Sequence, residues 1–220
     1  NIAKISRNLG IKKLKNFIET KFFKQKQRRS FQTWLLRKGE FHKIKELSTI
    51  TSNFAIKNLV NNYLGSNAQL TGCDILYNYR PNKDDTSFTN TQLFHCDRGP
   101  EKSYIKVFIC LDEIDFKNGP FTFFDAENTS KFIKKLSLIH KKKKLNQTNN
   151  LYHDKDVYHV FKEDYKKQFL GNVGDLLMCD VTRCLHQGAR IEEGERLILS
   201  LVYSNRKDFA IIPKWSTLSR

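Results

Sequence analysis

Short strand-like segments separated by turn signals follow one another after residue 72, and they limit the folds open to this chain. The segments are rich in β-branched and aromatic residues, which favour strands. Helices do not alternate regularly with them, so the pattern favours an antiparallel sandwich or barrel over a doubly wound parallel sheet. The predicted strands cover residues 75–79, 104–111, 121–124, 176–179 and 197–203.

The first 65 residues show mainly helical periodicity. Apolar residues recur at spacings of three or four across residues 11–22 and again across 54–64, where Gly65 supplies a stop signal. A chain of 220 residues fits a single domain. We therefore expect a basic helical part over residues 1–65 and a β core over 72–205.

A Lys-rich segment at residues 131–168 interrupts the strand pattern. It contains four consecutive lysines at 141–144 and a polar run at 146–150. Long segments of this kind are binding elements in some proteins and disordered in others. We predict an insertion that has some helix and a flexible, solvated loop.

The net charge of +16 is concentrated in two segments. Residues 1–50 carry +11, residues 131–170 carry +7, and the remaining residues carry −2. Charge runs are usually solvated faces, but a basic surface also attracts anions over long distances. An anionic substrate is therefore one hypothesis. Aromatic residues do not interleave regularly with the lysines as base stacking requires, so nucleic acid is not the expected partner.

The cysteine pattern points to a reducing compartment. The five cysteines are odd in number and include no C-x-x-C pair, which argues against a disulfide framework or a structural zinc site. No stretch approaches the roughly 20 apolar residues of a membrane span. We expect a cytoplasmic protein without a membrane span.

Three residues are candidates for a metal site. His95 and Asp97 form an H-x-D motif, and residues two apart on an extended segment point to the same side. His186 follows a predicted strand much later in the chain. Two histidines and one carboxylate on one face of an octahedral ion leave its other positions open, as in non-haem Fe(II) oxygenases. A surface salt bridge and a structural histidine are the alternative interpretations.

Arg196, immediately before the last predicted strand, is a candidate for binding an anionic co-substrate. An inward-pointing arginine requires an anionic partner because an unpaired buried charge is costly. Its planar guanidinium suits a carboxylate. A dicarboxylate that chelates iron at one end would supply that partner. A surface ion pair with Glu195 is the alternative, and Arg190 is a second candidate for the same role.

Together these residues resemble the phytanoyl-CoA dioxygenase-like 2-oxoglutarate/Fe(II) oxygenases. The resemblance covers about residues 72–205 and implies a mainly β fold with a double-stranded β-helix (jelly-roll, cupin-like) core and the N-terminal helices packed outside it. It rests on His95-Cys96-Asp97, Asn118-Gly119-Pro120, Gly174-Asp175, His186-Gln187-Gly188 and Arg196.

The resemblance also implies roles for individual residues. His95, Asp97 and His186 would bind Fe(II). Arg196 would bind the distal carboxylate of 2-oxoglutarate, and Asn78 would contact the same co-substrate. The reaction would consume dioxygen and hydroxylate a small or carrier-linked substrate. Since Asp97 supplies the carboxylate that related halogenases lack, hydroxylation is favoured over halogenation.

The chain departs from the family pattern where the substrate would be recognised. Residues 125–128 stand where many members have a P-G-S-H-like segment, and the Lys-rich insertion replaces any familiar substrate loop. The sequence therefore does not identify the substrate. Two alternatives remain: a cupin-like metalloenzyme that does not use 2-oxoglutarate, and a noncatalytic jelly roll that binds polyanions or nucleic acid.

Overall fold

Two five-stranded antiparallel sheets form the core of the protein. A computed structural model describes residues 31–35, 44–65, 68–80, 88–97, 104–143 and 151–205. The strands are β1 (Gln32–Trp34), β2 (Ala68–Tyr79), β3 (Phe94–His95), β4 (Ile105–Cys110), β5 (Phe121–Phe123), β6 (Leu151–Tyr152), β7 (Lys167–Phe169), β8 (Leu176–Asp180), β9 (His186–Gln187) and β10 (Glu195–Asn205). The helices are α1 (Lys45–Thr51), α2 (Phe54–Leu64), α3 (Ala126–Lys143) and α4 (Asp154–Val160).

The first sheet has the order β1-β2-β10-β4-β8, and the second has the order β6-β3-β9-β5-β7. β10 pairs with β2 along its whole length and with β4 on its other side. Successive side chains of β10 therefore point to opposite faces of the first sheet. Leu197, Leu199 and Leu201 pack in the core that α1 and α2 share, whereas Ile198 packs between the two sheets.

Helix α2 forms where the periodicity predicted a helix. The side chain of Asn53 caps its first turn by accepting hydrogen bonds from the backbone of Ala55 and Ile56. Gly65 ends it with a φ of 95°, a conformation that glycine adopts without strain. Ile56 and Val60 bury one face of α2 against the first sheet.

Strand β1 lies inside the part of the chain that was expected to be mainly helical. It pairs antiparallel with β2 and covers an edge that would otherwise be open. Phe31 and Leu35 are buried on either side of it. The helical expectation over residues 1–65 is therefore only partly right, and the helix predicted over 11–22 lies outside the described residues.

The Lys-rich insertion is more ordered than predicted. β6 and β7 from this segment form the two edges of the second sheet. Phe132 and Leu136 of α3 pack with Val157 of α4 against the outer face of that sheet. Apolar residues four apart among the lysines anchor helix α3, so the predicted helix is present. Residues 151–168 contain β6, α4 and most of β7 in place of one continuous loop, and 144–150 lie outside the described residues.

The two sheets face each other across an interior cluster that includes Phe108, Phe121 and Ile198. This arrangement confirms the predicted mainly β, double-stranded β-helix core with helices outside it. In the part of the chain that the structure describes, no helix has the length and apolar character that crossing a membrane requires.

Candidate active site

His95 and His186 face each other across neighbouring strands of the second sheet. They are Cα partners in the β3–β9 ladder, and their ring centroids are 4.3 Å apart. Both are buried. The strand pairing therefore brings together two residues that are distant in the sequence.

The same type of hydrogen bond orients both imidazoles. His95 Nδ1 lies 2.8 Å from the carbonyl oxygen of Leu93, and His186 Nδ1 lies 2.8 Å from that of Cys184. Because a carbonyl oxygen only accepts, each Nδ1 must carry the proton. The lone pair of each Nε2 is then free. Histidines that bind a metal usually have this arrangement, in which the other ring nitrogen donates to a carbonyl or carboxylate.

Asp97 completes a three-residue cluster. Its Oδ1 lies 3.4 Å from His95 Nε2 and 3.7 Å from His186 Nε2. One ligand atom from each of the three residues lies within 4.8 Å of the other two, the one such cluster of metal-ligating residues in the described part of the chain. Two imidazole nitrogens and one carboxylate oxygen suit a divalent first-row metal such as Fe(II).

The protonation states also suit a cation. Burial and the neighbouring His95 lower the pKa of His186 to about 3, so its imidazole is neutral near pH 7. Burial alone would raise the pKa of Asp97, but the Lys106 ammonium holds it well below its usual value. Neutral imidazoles and an ionised carboxylate are the forms that bind metals.

Two residues that sequence reasoning missed hold the carboxylate. Lys106 Nζ donates a hydrogen bond to Asp97 Oδ2 over 2.5 Å, and the Tyr104 hydroxyl is hydrogen-bonded to the same carboxylate. Burial and Asp97 raise the pKa of Tyr104, so its hydroxyl keeps its proton and is the donor. The alternation of the predicted strand places Lys106 on one face with Phe108, but nothing in the sequence says that this face points inward.

Arg196 and Asn78 form a second polar pair on the first sheet. They are Cα partners, and Arg196 Nε donates to Asn78 Oδ1 over 3.2 Å. The side chains are almost fully buried, and burial lowers the pKa of Arg196 to about 10. Arg196 Nη1 and Asn78 Nδ2 have no hydrogen-bond partner among the described residues. Two unused buried donors fit an acceptor such as a carboxylate.

Gly188 keeps the space beside this guanidinium open. A Cβ at this position would lie 3.8 Å from Arg196 Nη2 and 3.9 Å from the ring of Phe121. Phe121 in turn packs on His186, with ring centroids 5.1 Å apart. Gly188 therefore lies beside both Arg196 and Phe121, and Phe121 connects it by ring packing to His186.

Arg190, the other candidate for the co-substrate, is already paired. Its two terminal nitrogens donate to the two carboxylate oxygens of Asp154, each over 2.7 Å, and its Nε donates to the carbonyl of Gln92. Its guanidinium also lies 4.0 Å from the ring centroid of Phe88. Arg190 therefore links α4 to the barrel, and both of its terminal nitrogens are already hydrogen-bonded to Asp154.

An open cavity of about 380 Å³ lies away from this cluster. Thr51, Lys57 and Tyr203 are among its lining residues, which come from α1, α2 and the adjoining ends of β2 and β10. Tyr203 belongs to the core under the helices, on the outer side of the first sheet. The cavity and the cluster of His95, Asp97 and His186 thus lie on opposite faces of that sheet.

No family model and no curated protein matches this sequence. Solved structures do match. HygX from Streptomyces hygroscopicus, with nickel and 2-oxoglutarate bound, has a TM-score of 0.56 at 10% identity over 89% of this chain and 78% of HygX. AviO1 from Streptomyces viridochromogenes Tue57 has a TM-score of 0.54 at 14% identity over 91% of this chain and 85% of AviO1.

A third match is the epimerase SnoN in complex with Fe3+, alpha ketoglutarate and nogalamycin RO. Its TM-score is 0.54 at 11% identity, over 89% of this chain and 74% of SnoN. The likeness is one of fold. It agrees with the double-stranded β-helix that the two sheets define.

Proposed function

We propose that this protein is a non-haem Fe(II)- and 2-oxoglutarate-dependent oxygenase that hydroxylates a small or carrier-linked substrate. In this proposal His95, Asp97 and His186 bind the iron. Arg196 and Asn78 bind the distal carboxylate of 2-oxoglutarate. The observation that carries the proposal is the buried Arg196 guanidinium, with an unused donor, in the same barrel as the two-histidine, one-carboxylate cluster.

In this proposal separate sets of residues bind the metal and the co-substrate. The two histidines present Nε2 atoms whose orientation is fixed by the carbonyls of Leu93 and Cys184. Phe121 and the other interior aromatics exclude water around them. Fe(II) with 2-oxoglutarate supplies the oxidising chemistry, in which dioxygen is consumed and 2-oxoglutarate is decarboxylated.

Arg196 favours this function over a metalloenzyme that does not use 2-oxoglutarate. A buried cation without a carboxylate is costly to keep, so its presence implies an anionic ligand in the working protein. Two solved structures of similar fold are described with 2-oxoglutarate or alpha ketoglutarate bound, which supports the same choice of co-substrate. Hydroxylation is the proposed outcome because Asp97 supplies a carboxylate ligand.

The test is an anaerobic titration of the full chain with Fe(II), followed by 2-oxoglutarate. We expect a weak visible charge-transfer band when 2-oxoglutarate chelates the bound iron. The Arg196→Ala variant should still bind Fe(II) but lose the 2-oxoglutarate step, whereas His186→Ala should lose both. A wild-type protein that binds Fe(II) without developing the band contradicts the use of 2-oxoglutarate.

A second measurement addresses the reaction. In air, wild-type protein with Fe(II) should convert 2-oxoglutarate to succinate slowly even without substrate, and the product of the true substrate should gain one oxygen atom. If the basic segments attract an anionic substrate, its KM should rise with salt, because added ions screen long-range attraction. A KM that does not respond to salt removes that hypothesis.

A further inference from the structure

The inner face of the first sheet has two polar ends separated by an apolar band. Arg196 and Asn78 form one end. Leu76, Ile198 and Cys110, which are level with one another on β2, β10 and β4, form the band, since all three pack in the cluster between the sheets. At the other end, nearer to Lys106 and therefore to Asp97, lie Asp74 and Ser200, which are Cα partners across β2 and β10.

Asp74 points into the barrel. Its neighbours Cys73 and Ile75 pack in the outer core under α1 and α2, and the β2–β10 register is regular from residue 73 to residue 79. Side chains alternate along a strand, so Asp74 lies on the opposite face from its neighbours, together with Asn78. It is half-buried, and it acts electrostatically with Lys106.

The carboxylate of Asp74 makes no hydrogen bond or ion pair with the described residues. Lys106 does not fill this role because its Nζ lies 2.5 Å from Asp97 Oδ2. Burial raises the pKa of Asp74, which reflects the poor solvation of its charge. A shielded carboxylate in a barrel interior is stabilised by a donor that carries a positive charge.

We propose that Asp74 is a substrate-recognition residue that binds a protonated amine at the metal end of the barrel. The inference rests on the proposed function, because 2-oxoglutarate then extends from Arg196 toward the metal, and Asp74 lies on the far side of the apolar band from Arg196. An amine contact at Asp74 is compatible with an anionic substrate, because the basic segments would attract a different part of the same substrate molecule. A carrier-linked substrate with an anionic carrier and an amine at its reactive end satisfies both.

Three probes of equal ring size test the chemistry: cyclohexylamine, cyclohexanol and cyclohexanecarboxylate. The full chain is loaded with Mn(II), a divalent stand-in for Fe(II), and with 2-oxoglutarate, and both are followed by electron paramagnetic resonance. Paramagnetic relaxation of the probe protons then reports binding and proximity to the metal. We expect cyclohexylamine to bind about ten-fold more tightly than cyclohexanol, since hydrogen bonds to charged groups are worth more than neutral ones.

The matched variants are Asp74→Asn and Asp164→Asn. Both remove one negative charge, but Asp164 is exposed on the surface. Asp74→Asn should abolish the preference for the amine while 2-oxoglutarate still binds, which also shows that the variant folds. Asp164→Asn should keep the preference.

The outcomes separate the two proposals. Failure of Mn(II) and 2-oxoglutarate to bind overturns the proposed function and this inference with it. If both bind, three results overturn the inference alone: no binding of the amine, equal or tighter binding of the alcohol or the carboxylate, and an amine preference that persists in Asp74→Asn.

Discussion

Lys106 and Asp97 form an ion pair in which the two oxygens of one carboxylate serve different neighbours. Lys106 Nζ lies 2.5 Å from Oδ2, while Oδ1 faces the Nε2 atoms of His95 and His186. The lysine therefore neutralises the buried carboxylate when no metal is bound, and it leaves Oδ1 directed toward the histidines. Its strand β4 belongs to the first sheet, so this contact also ties the cluster to the opposite wall of the barrel.

Lys106→Met should destabilise the metal-free protein by about 2 kcal/mol, because it leaves Asp97 as an uncompensated buried charge. A divalent metal should restore more stability to this variant than to wild type, since the metal then supplies the missing positive charge. Urea unfolding with and without Mn(II) measures both effects.

The matched control for this prediction is Lys117→Met, which breaks an exposed ion pair with Glu193 of 3.0 Å. Exposed pairs contribute little to stability, so this variant should unfold almost as wild type does. Equal losses in the two variants, or a metal effect of the same size in Lys106→Met and wild type, contradict the role given to Lys106.

Arg196→Met should separate binding from stability. A buried guanidinium that no carboxylate accompanies gains little from its surroundings, and apolar replacements of buried ionic groups are often neutral or stabilising. We expect unchanged or raised stability of the free protein, with affinity for 2-oxoglutarate reduced on the order of 100-fold through the loss of two charge-assisted hydrogen bonds. Calorimetric titration of 2-oxoglutarate into Mn(II)-loaded protein measures the second effect.

Arg190→Met is the counterpart, because Asp154 holds this arginine through two hydrogen bonds of 2.7 Å. It should destabilise the fold by about 2 kcal/mol and leave 2-oxoglutarate affinity nearly unchanged. The reverse result, in which Arg190→Met abolishes 2-oxoglutarate binding and Arg196→Met does not, would exchange the roles of the two arginines.

The metal-free protein should lose stability in mild acid because of His186. Its folded-state pKa of about 3 lies below the ordinary value of 6.5, so between these pH values the unfolded chain binds a proton that the folded chain does not bind. Stability is then full above about pH 6.5 and falls as the pH drops toward 3. His186→Gln should reduce the dependence of stability on pH in the upper part of this range. Equal pH dependence in wild type and variant would contradict the lowered pKa of His186. Thermal unfolding from pH 8 to pH 4 in the presence of a chelator measures the slope.

The sequence allowed the prediction of features that depend on local pattern. The apolar run at 197–203 became most of β10, and helix α2 has the predicted bounds. The H-x-D motif and His186 lie together as expected, although their roles as metal ligands stay a prediction. Lys106 was missed because strand alternation defines two faces without saying which is interior. The pairing of β1 with β2 was missed because it depends on an edge formed by residues 76–78, more than 40 positions later in the chain.

The order of the insertion gives a last prediction. Phe132 is fully buried and contacts Tyr152 of β6, with ring centroids 5.1 Å apart, and β6 pairs with β3, the strand of His95. Phe132→Ala should therefore cost about 3–5 kcal/mol by the loss of buried contacts and the cavity left behind. It should also weaken Mn(II) binding, because the edge that supports His95 loosens. Ile133→Ala, one residue along α3 and 47% exposed, should change stability by about 0.5 kcal/mol or less. Urea unfolding measures the stability of the two variants, and Mn(II) titration measures their affinity for the metal. Similar values for both would mean that the insertion does not support the site.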